Sequence, residues 1–256
     1  MDLPASRLFL YPLSFRSSAQ VRLFCFPYAG VGASIYREWS HLFPPEIEVC
    51  PVQIPGRESR FHEEAFDQIQ PLVNWLGEVL GPYLQQPYAF FGHSMGTLII
   101  FELTHYLLQR EQRLPECLFI SAYPAPHLPP PGPPLSQLPE ESFLEGLYRL
   151  GGISEAVLKN TTFIRLLLPA LRADFTLCET YQYLQREVLP CPFTLFGAFD
   201  DQRVQQSELL AWQEHTQHPC TTTFFPGNHF FLQIARVALV QAICDKLLFL
   251  TKNRTD

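Results

Sequence analysis

The stretch Tyr88-Ala89-Phe90-Phe91-Gly92-His93-Ser94-Met95-Gly96 decides how this chain is read. Tyr88-Ala89-Phe90-Phe91 is short, apolar and bounded by Pro87, as a buried strand is. Gly92 to Gly96 spells G-x-S-x-G. Beyond it, Met95 to Gln109 carries Leu98, Ile99, Ile100, Phe101, Leu103, Leu107 and Leu108 and is long enough for a helix. Strand, sharp turn and helix form the context in which this pattern makes a nucleophile elbow. The turn strains Ser94 and pushes its hydroxyl out of the sheet. Gly92 and Gly96 omit side chains where strand and helix must approach closely. The helix start directs free N–H groups toward developing negative charge.

A serine hydroxyl needs a base, and the base needs an orienting acid. Where an elbow serine works in an α/β sheet, the order along the chain is Ser, Asp or Glu, then His. Downstream of Ser94, His127 falls in a proline-rich stretch, and His215 and His218 flank a polar segment resembling a helix end. His229 instead follows a strand-like run, Thr221-Thr222-Thr223-Phe224-Phe225, and a turn, Pro226-Gly227-Asn228, and precedes an apolar helix from Phe230. Loops beyond the carboxyl ends of parallel strands are where such sheets place functional groups, so His229 is the candidate base. For the acid, Leu195 to Asp201 ends a strand with two adjacent carboxylates. Neighbours on an extended segment point opposite ways, so only one can face His229. Pattern alone allows Asp200, because Gly197-x-x-Asp200 fits a tight turn. The oxyanion hole requires two N–H donors. Met95, after the nucleophile, supplies one, and the loop after the first strand supplies the other. Pro27 has no N–H, which leaves Tyr28 or Ala29.

Six apolar runs read as strands, at 21–26, 47–54, 88–91, 117–123, 193–196 and 221–225, with helix-length segments between most of them. The alternation predicts an α/β fold: a mostly parallel central sheet flanked by helices. At 256 residues, 47% hydrophobic and 17% charged, the chain can bury one large core. We expect a single domain over 21–250 behind a loosely ordered N-terminal tail, 1–20. The alternation is interrupted once. Seven prolines crowd residues 124–134, which favours a stiff extended connector over helix. Several short helices are then expected between Pro139 and Tyr183, forming a helical lid inserted at about 125–185. Its apolar residues Phe143, Leu144, Leu147, Leu150, Leu166, Leu167, Leu168 and Leu171 either line an acyl chamber or pack the lid onto the core.

Several motifs together resemble the type II thioesterases, stand-alone hydrolases that accompany nonribosomal peptide and polyketide synthases. These are Leu23-Phe24-Cys25-Phe26-Pro27-Tyr28-Ala29-Gly30, Gln53-Ile54-Pro55-Gly56-Arg57 with Arg60, the elbow itself, Leu171-Arg172-Ala173-Asp174-Phe175 with Tyr181, and Trp212 with Pro226 to Phe231. The elbow is common to α/β-hydrolases; the P-G-R and R-A-D-F segments are far more specific. The resemblance spans about Val21 to Leu250 and implies an α/β-hydrolase fold. It implies a Ser94, Asp201, His229 triad, because counting from Cys191-Pro192 and back from Trp212 both reach Asp201. It implies Ala29 as the second oxyanion donor beside Met95. The chain departs from the family pattern at Ala198 and at Asn228, where glycines are usual.

The implied activity is hydrolysis of acyl or aminoacyl thioesters on the phosphopantetheine arm of a carrier protein. Misprimed or stalled units would thereby be cleared in nonribosomal peptide, polyketide or fatty acid biosynthesis. The formal charge of −7 argues against nucleic acid and requires an acidic carrier to dock through a local basic patch. Candidates are Arg57, Arg60 and Arg172, with Lys159 and Arg165. Seven scattered cysteines without a C-x-x-C pair suit a reducing, cytoplasmic setting. No zinc spacing, G-x-G-x-x-G or P-loop occurs, so no metal and no cofactor are expected. No apolar run reaches membrane-spanning length, nothing at the N-terminus reads as a signal peptide, and a monomer is expected. Two other readings use the same residues. One is a small-molecule esterase or acyltransferase, separable by comparing carrier-bound with free substrates. The other is a catalytically silent carrier-binding module, separable by a serine-directed fluorophosphonate.

Overall fold

Each of the six apolar runs forms a strand: β1 (Val21–Phe26), β2 (Ile47–Pro51), β3 (Tyr88–His93), β4 (Leu118–Ser121), β5 (Phe193–Ala198) and β6 (Thr221–Phe225). The computed structural model describes residues 18–252; the expected tail over 1–20 lies, up to residue 17, outside the described residues. The strands make one sheet in the order β2-β1-β3-β4-β5-β6, and every pair is parallel. A parallel sheet is covered on both faces, and β1 to β5 are accordingly buried at every position. Side chains alternate between the faces. Phe24, Phe26, Phe90, Leu118, Ile120 and Leu195 enter one core, while Leu23, Cys25, Phe91, Phe119 and Phe196 enter the other.

The helices follow in chain order: α1 (Ile69–Leu80), α2 (Met95–Gln109), α3 (Glu140–Arg149), α4 (Glu155–Lys159), α5 (Thr161–Glu179), α6 (Gln206–Leu210), α7 (Phe231–Ile234) and α8 (Arg236–Lys252). The apolar residues of α1 and α2 cover the first face, together with Trp212, whose indole donates to the Tyr123 carbonyl at 2.8 Å. Those of α8, with Tyr36 and Trp39, cover the second. Strand order reverses between β1 and β3: the chain goes outward to β2 and returns on the other side of β1. The loops leaving β1 and β3 therefore diverge and open a crevice at the carboxyl edge, the place where open α/β sheets bind ligands.

The interruption between β4 and β5 holds the lid. Residues 124–134 contain neither helix nor strand, and α3, α4 and α5 follow. The last of these differs from the expected short helices: it runs 19 residues straight through Pro169. The lid carries its own small core of Phe143, Leu147 and Leu171, with Leu144, Leu167 and Leu168 packed against it. Most of the lid's apolar residues thus hold it together, and Leu166 is exposed. No helix among the described residues is long and apolar enough to cross a membrane. All seven cysteines are unpaired, and five of them are buried.

Candidate active site

Ser94 stands between the last residue of β3 and the first of α2, with φ 53° and ψ −120°. Positive φ is costly for a residue with a Cβ, and the surroundings enforce it. A Cβ on Gly92 would lie 2.3 Å from the Gly96 carbonyl, and one on Gly96 would lie 2.4 Å from the Phe26 carbonyl oxygen. Only glycines let the first turn of α2 lie against the ends of β1 and β3. The turn is tied further by Thr97, whose hydroxyl bonds the carbonyls of Gly92 and Ser121 at 2.7 and 2.9 Å.

Ser94 Oγ donates to His229 Nε2 at 3.1 Å, and His229 Nδ1 donates to Asp201 Oδ2 at 2.9 Å. The other Asp201 oxygen accepts the N–H groups of Arg203 and Val204 at 2.8 and 3.2 Å. The structure thus brings together the three residues implied by the family resemblance. It also separates the adjacent carboxylates, since Asp201 is buried and Asp200 is exposed. The Asp200 N–H bonds the Gly227 carbonyl at 3.1 Å and ties the acid loop to the histidine loop. Both departures from the family pattern are accommodated. Ala198 is the last residue of β5, and the positive φ of the turn before His229 falls on Gly227 (108°). Asn228 bonds the Phe230 N–H through its side chain.

Burial pushes the His229 imidazole down; its bond to Asp201 pulls it up; the nearby Arg203 charge pushes it down again. The net position is below the ordinary histidine range. Burial pulls Asp201 up, but the bond from His229, its charge and the two N–H donors outweigh this and hold the carboxyl low. At neutral pH the geometry therefore presents a neutral imidazole. Its Nδ1 proton is fixed by an ionised carboxylate and its Nε2 lone pair faces Ser94, the arrangement that lets a serine be deprotonated as it attacks.

Met95 opens α2, so its N–H has no intrahelical acceptor. On the β1 loop, Tyr28 to Val31 form a turn closed by Val31 N–H to the Tyr28 carbonyl at 3.4 Å. Gly30 has φ 82° at the third position of that turn, as a type II turn requires. Ala29 is the second residue, whose N–H takes no part in closing such a turn. Ala29, Ser94 and Met95 line a cavity of about 220 Å³ with Leu135, Leu150 and Phe175 of the lid and Arg203.

Two contributors carry no readable signal in the sequence. His93, the variable residue of the elbow, is fully buried; its Nε2 donates to the His229 carbonyl at 2.9 Å and its Nδ1 accepts from Ser121 Oγ at 2.8 Å. Burial holds it neutral, and its effect is to fix the backbone of the base. Arg203 sits in the turn whose N–H groups hold Asp201, and its Nε is buried without a hydrogen-bond acceptor among the described residues.

The basic docking candidates need correction. Arg57 and Arg60 are only 4% and 6% exposed. Arg57 is paired with Asp174, and Arg60 with Glu63, the Gln53 carbonyl and the Trp75 ring. Neither presents a charge to a partner. Arg172 is half-buried, bonds the carbonyls of Ser136 and Leu138 and lies over the Phe143 ring. Lys159 and Arg165 remain exposed on the lid.

Residues 21–247 match the family described as thioesterase domain. The gramicidin S biosynthesis protein GrsT of Aneurinibacillus migulanus is 43% identical over 90% of both chains. The solved structure of the type II thioesterase BorB from the borrelidin biosynthetic cluster superposes with a TM-score of 0.82 at 36% identity, covering 90% of this chain and 93% of that one. RedJ, a thioesterase from the prodiginine pathway of Streptomyces coelicolor, superposes with a TM-score of 0.84 at 35% identity, covering 90% and 87%. With its parallel sheet, its elbow serine under a helical lid and this agreement over nearly its whole length, the chain belongs to the thioesterase domain family.

Proposed function

We propose that this thioester hydrolase acts on acyl groups held on the phosphopantetheine thiol of carrier proteins, and that Ser94, His229 and Asp201 perform the reaction. The observation that carries this reading is the unbroken hydrogen-bond chain from Ser94 Oγ through His229 to Asp201, opening into a lid-covered, largely apolar cavity. Ser94 Oγ attacks the thioester carbonyl carbon and its proton passes to His229 Nε2. The carbonyl oxygen becomes an oxyanion, met by the N–H groups of Met95 and Ala29. The C–S bond then breaks, the leaving thiolate takes the proton from His229, and the acyl group remains on Ser94. Water, deprotonated by His229, attacks the acyl-serine; the acid leaves and Ser94 regains its proton. Nucleophile, base and oxyanion donors all come from the chain, so the scheme uses no metal and no cofactor.

The relatives named above include a gramicidin S biosynthesis protein and a type II thioesterase of the borrelidin biosynthetic cluster, which supports a role in clearing misprimed or stalled acyl groups from a biosynthetic assembly line. The seven unpaired cysteines fit a cytoplasmic setting. With Arg57 and Arg60 buried, Arg165 and Lys159, the latter paired with Glu155, are the exposed ones among the candidate cations for an acidic carrier to meet.

The direct test is hydrolysis of acyl-loaded carrier proteins beside the corresponding N-acetylcysteamine thioesters. Wild-type protein is expected to cleave both, the carrier-bound form with the higher kcat/KM, and Ser94→Ala to lose roughly 10³-fold or more in kcat. Undiminished hydrolysis by a folded Ser94→Ala protein contradicts the mechanism, and a preference for the free thioesters contradicts the substrate assignment. The neighbouring carboxylates separate in the same assay. Asp201→Asn should lower kcat by about 10⁴-fold, as expected when a triad imidazole loses the group that fixes its tautomer. Asp200→Asn, changing an exposed side chain, should fall within a few-fold of wild type.

The pH profile checks the electrostatics. His229 acts as a base only when neutral, so activity is lost as pH falls through its folded pKa. Because that pKa is depressed, the acid limb of kcat/KM should be centred below about 6.5, the unperturbed histidine value. Arg203→Met removes a depressing charge and should move the limb upward; an unmoved or lowered limb argues that Arg203 does not act on the base.

A further inference from the structure

The two most family-specific segments, P-G-R and R-A-D-F, lie 117 residues apart in sequence and meet in one buried ion pair. Arg57 Nη1 and Nη2 bond Asp174 Oδ2 and Oδ1 at 2.6 and 2.8 Å. Asp174, on the lid helix α5, is 1% exposed. Its Oδ2 also accepts the Gly30 N–H at 2.7 Å. One turn earlier on the same helix, Leu171 presses on the same glycine: a Cβ on Gly30 would lie 2.2 Å from Leu171 Cδ2. The far end of the loop is held separately, by Ala33 N–H to Gln53 Oε1 at 3.0 Å, and Gln53 in turn bonds the Arg57 carbonyl at 3.0 Å. The lid helix therefore grips the β1 loop at the residue next to Ala29.

We infer that Asp174 is a positioning residue for the oxyanion hole: docking of α5 fixes the Ala29-Gly30 peptide, so that the hole is complete only when the lid is seated. The inference rests on the serine mechanism proposed above. Its physical basis is the turn at Tyr28 to Val31. In that turn the Gly30 N–H points away from the closing hydrogen bond and needs an outside acceptor. Holding it restrains the backbone on the far side of Ala29, whose own N–H must keep a fixed direction to meet an oxyanion. The ion pair opposes partial release: separating Asp174 from Arg57 before water reaches either group leaves an uncompensated buried charge, which is strongly unfavourable.

Two double variants isolate the acceptor from the charge. Arg57→Leu/Asp174→Leu and Arg57→Leu/Asp174→Asn both remove the ion pair, and only the second keeps an acceptor for Gly30. Each protein is counted by fluorophosphonate titration of Ser94, so that loss of folded sites is not read as loss of rate. Per titrated site, the Asn variant is expected to exceed the Leu variant at least tenfold in kcat on an N-acetylcysteamine thioester, with similar KM. It should also bind an alkyl trifluoromethyl ketone, whose adduct with the serine carries an oxyanion, at least tenfold more tightly. Equal kcat and equal inhibitor affinity in the two variants overturn the inference. Should the Leu pair not fold, Asp174→Glu keeps both charges but displaces the carboxylate; it is expected to lower kcat and inhibitor affinity tenfold or more, and wild-type values for both overturn the inference. If wild-type hydrolysis survives Ser94→Ala, the serine mechanism itself fails. If hydrolysis depends on Ser94 and the two doubles are alike, only the coupling fails.

Discussion

The contact on which the site depends is the one between two backbones: Gly96, in the first turn of α2, against the carbonyl of Phe26 at the end of β1. It closes the angle between strand and helix so far that the residue joining them must take positive φ, and that residue is Ser94. The same contact sets the first N–H groups of α2 beside the loop leaving β1. The placement of Ser94 and of the Met95 N–H beside the β1 loop thus follows from one close approach at the point where the sheet reverses its strand order. His229 and Asp201 arrive on loops farther along the same edge, after β6 and β5. Their spacing is fixed by the Asp200 N–H on the Gly227 carbonyl and by the His93 side chain on the His229 carbonyl, and not by the triad alone.

The buried charges are arranged to neutralise or orient one another. Asp201 stays ionised in a dry site because it accepts three hydrogen bonds. His229 stays neutral because burial and Arg203 together outweigh the pull of Asp201. A second carboxylate, Asp174, pairs with Arg57 and also accepts the Gly30 N–H. The first carboxylate thereby fixes the proton on His229 Nδ1, and the second ties the lid helix to the loop after β1.

The sequence made the sheet legible because a parallel sheet buries both faces of its strands. Most of its strands are then short, largely apolar runs, while β6, Thr-Thr-Thr-Phe-Phe at the edge of the sheet, keeps exposed positions. The elbow was legible because its glycines are sterically required. The acid was not legible from local pattern, since Gly197-x-x-Asp200 pointed one residue early; the family resemblance, counted from Cys191 and Trp212, implied Asp201, the carboxylate that meets His229. Arg57 and Arg60 read as surface charge because nothing near them in sequence reveals burial, and the partner of Arg57 is 117 residues away. Helix α5 read as several pieces because a proline inside a helix removes one backbone bond and crowds the preceding turn. Here Ala170, Leu171, Asp174 and Leu177 are buried after Pro169, and their tertiary contacts carry the helix through it. His93 had no signal, being the unspecified letter of its motif.

The central claim is that the acyl group passes through Ser94. It is tested most directly by rapid acid quench during the first turnover of a thioester substrate, followed by mass measurement of the proteolytic peptides. The peptide containing Ser94 should gain the mass of the acyl group, with the adduct formed before free acid accumulates and absent from Ser94→Ala. Release of acid with no adduct on that peptide, or an adduct on another cavity residue such as Cys178, would contradict the account.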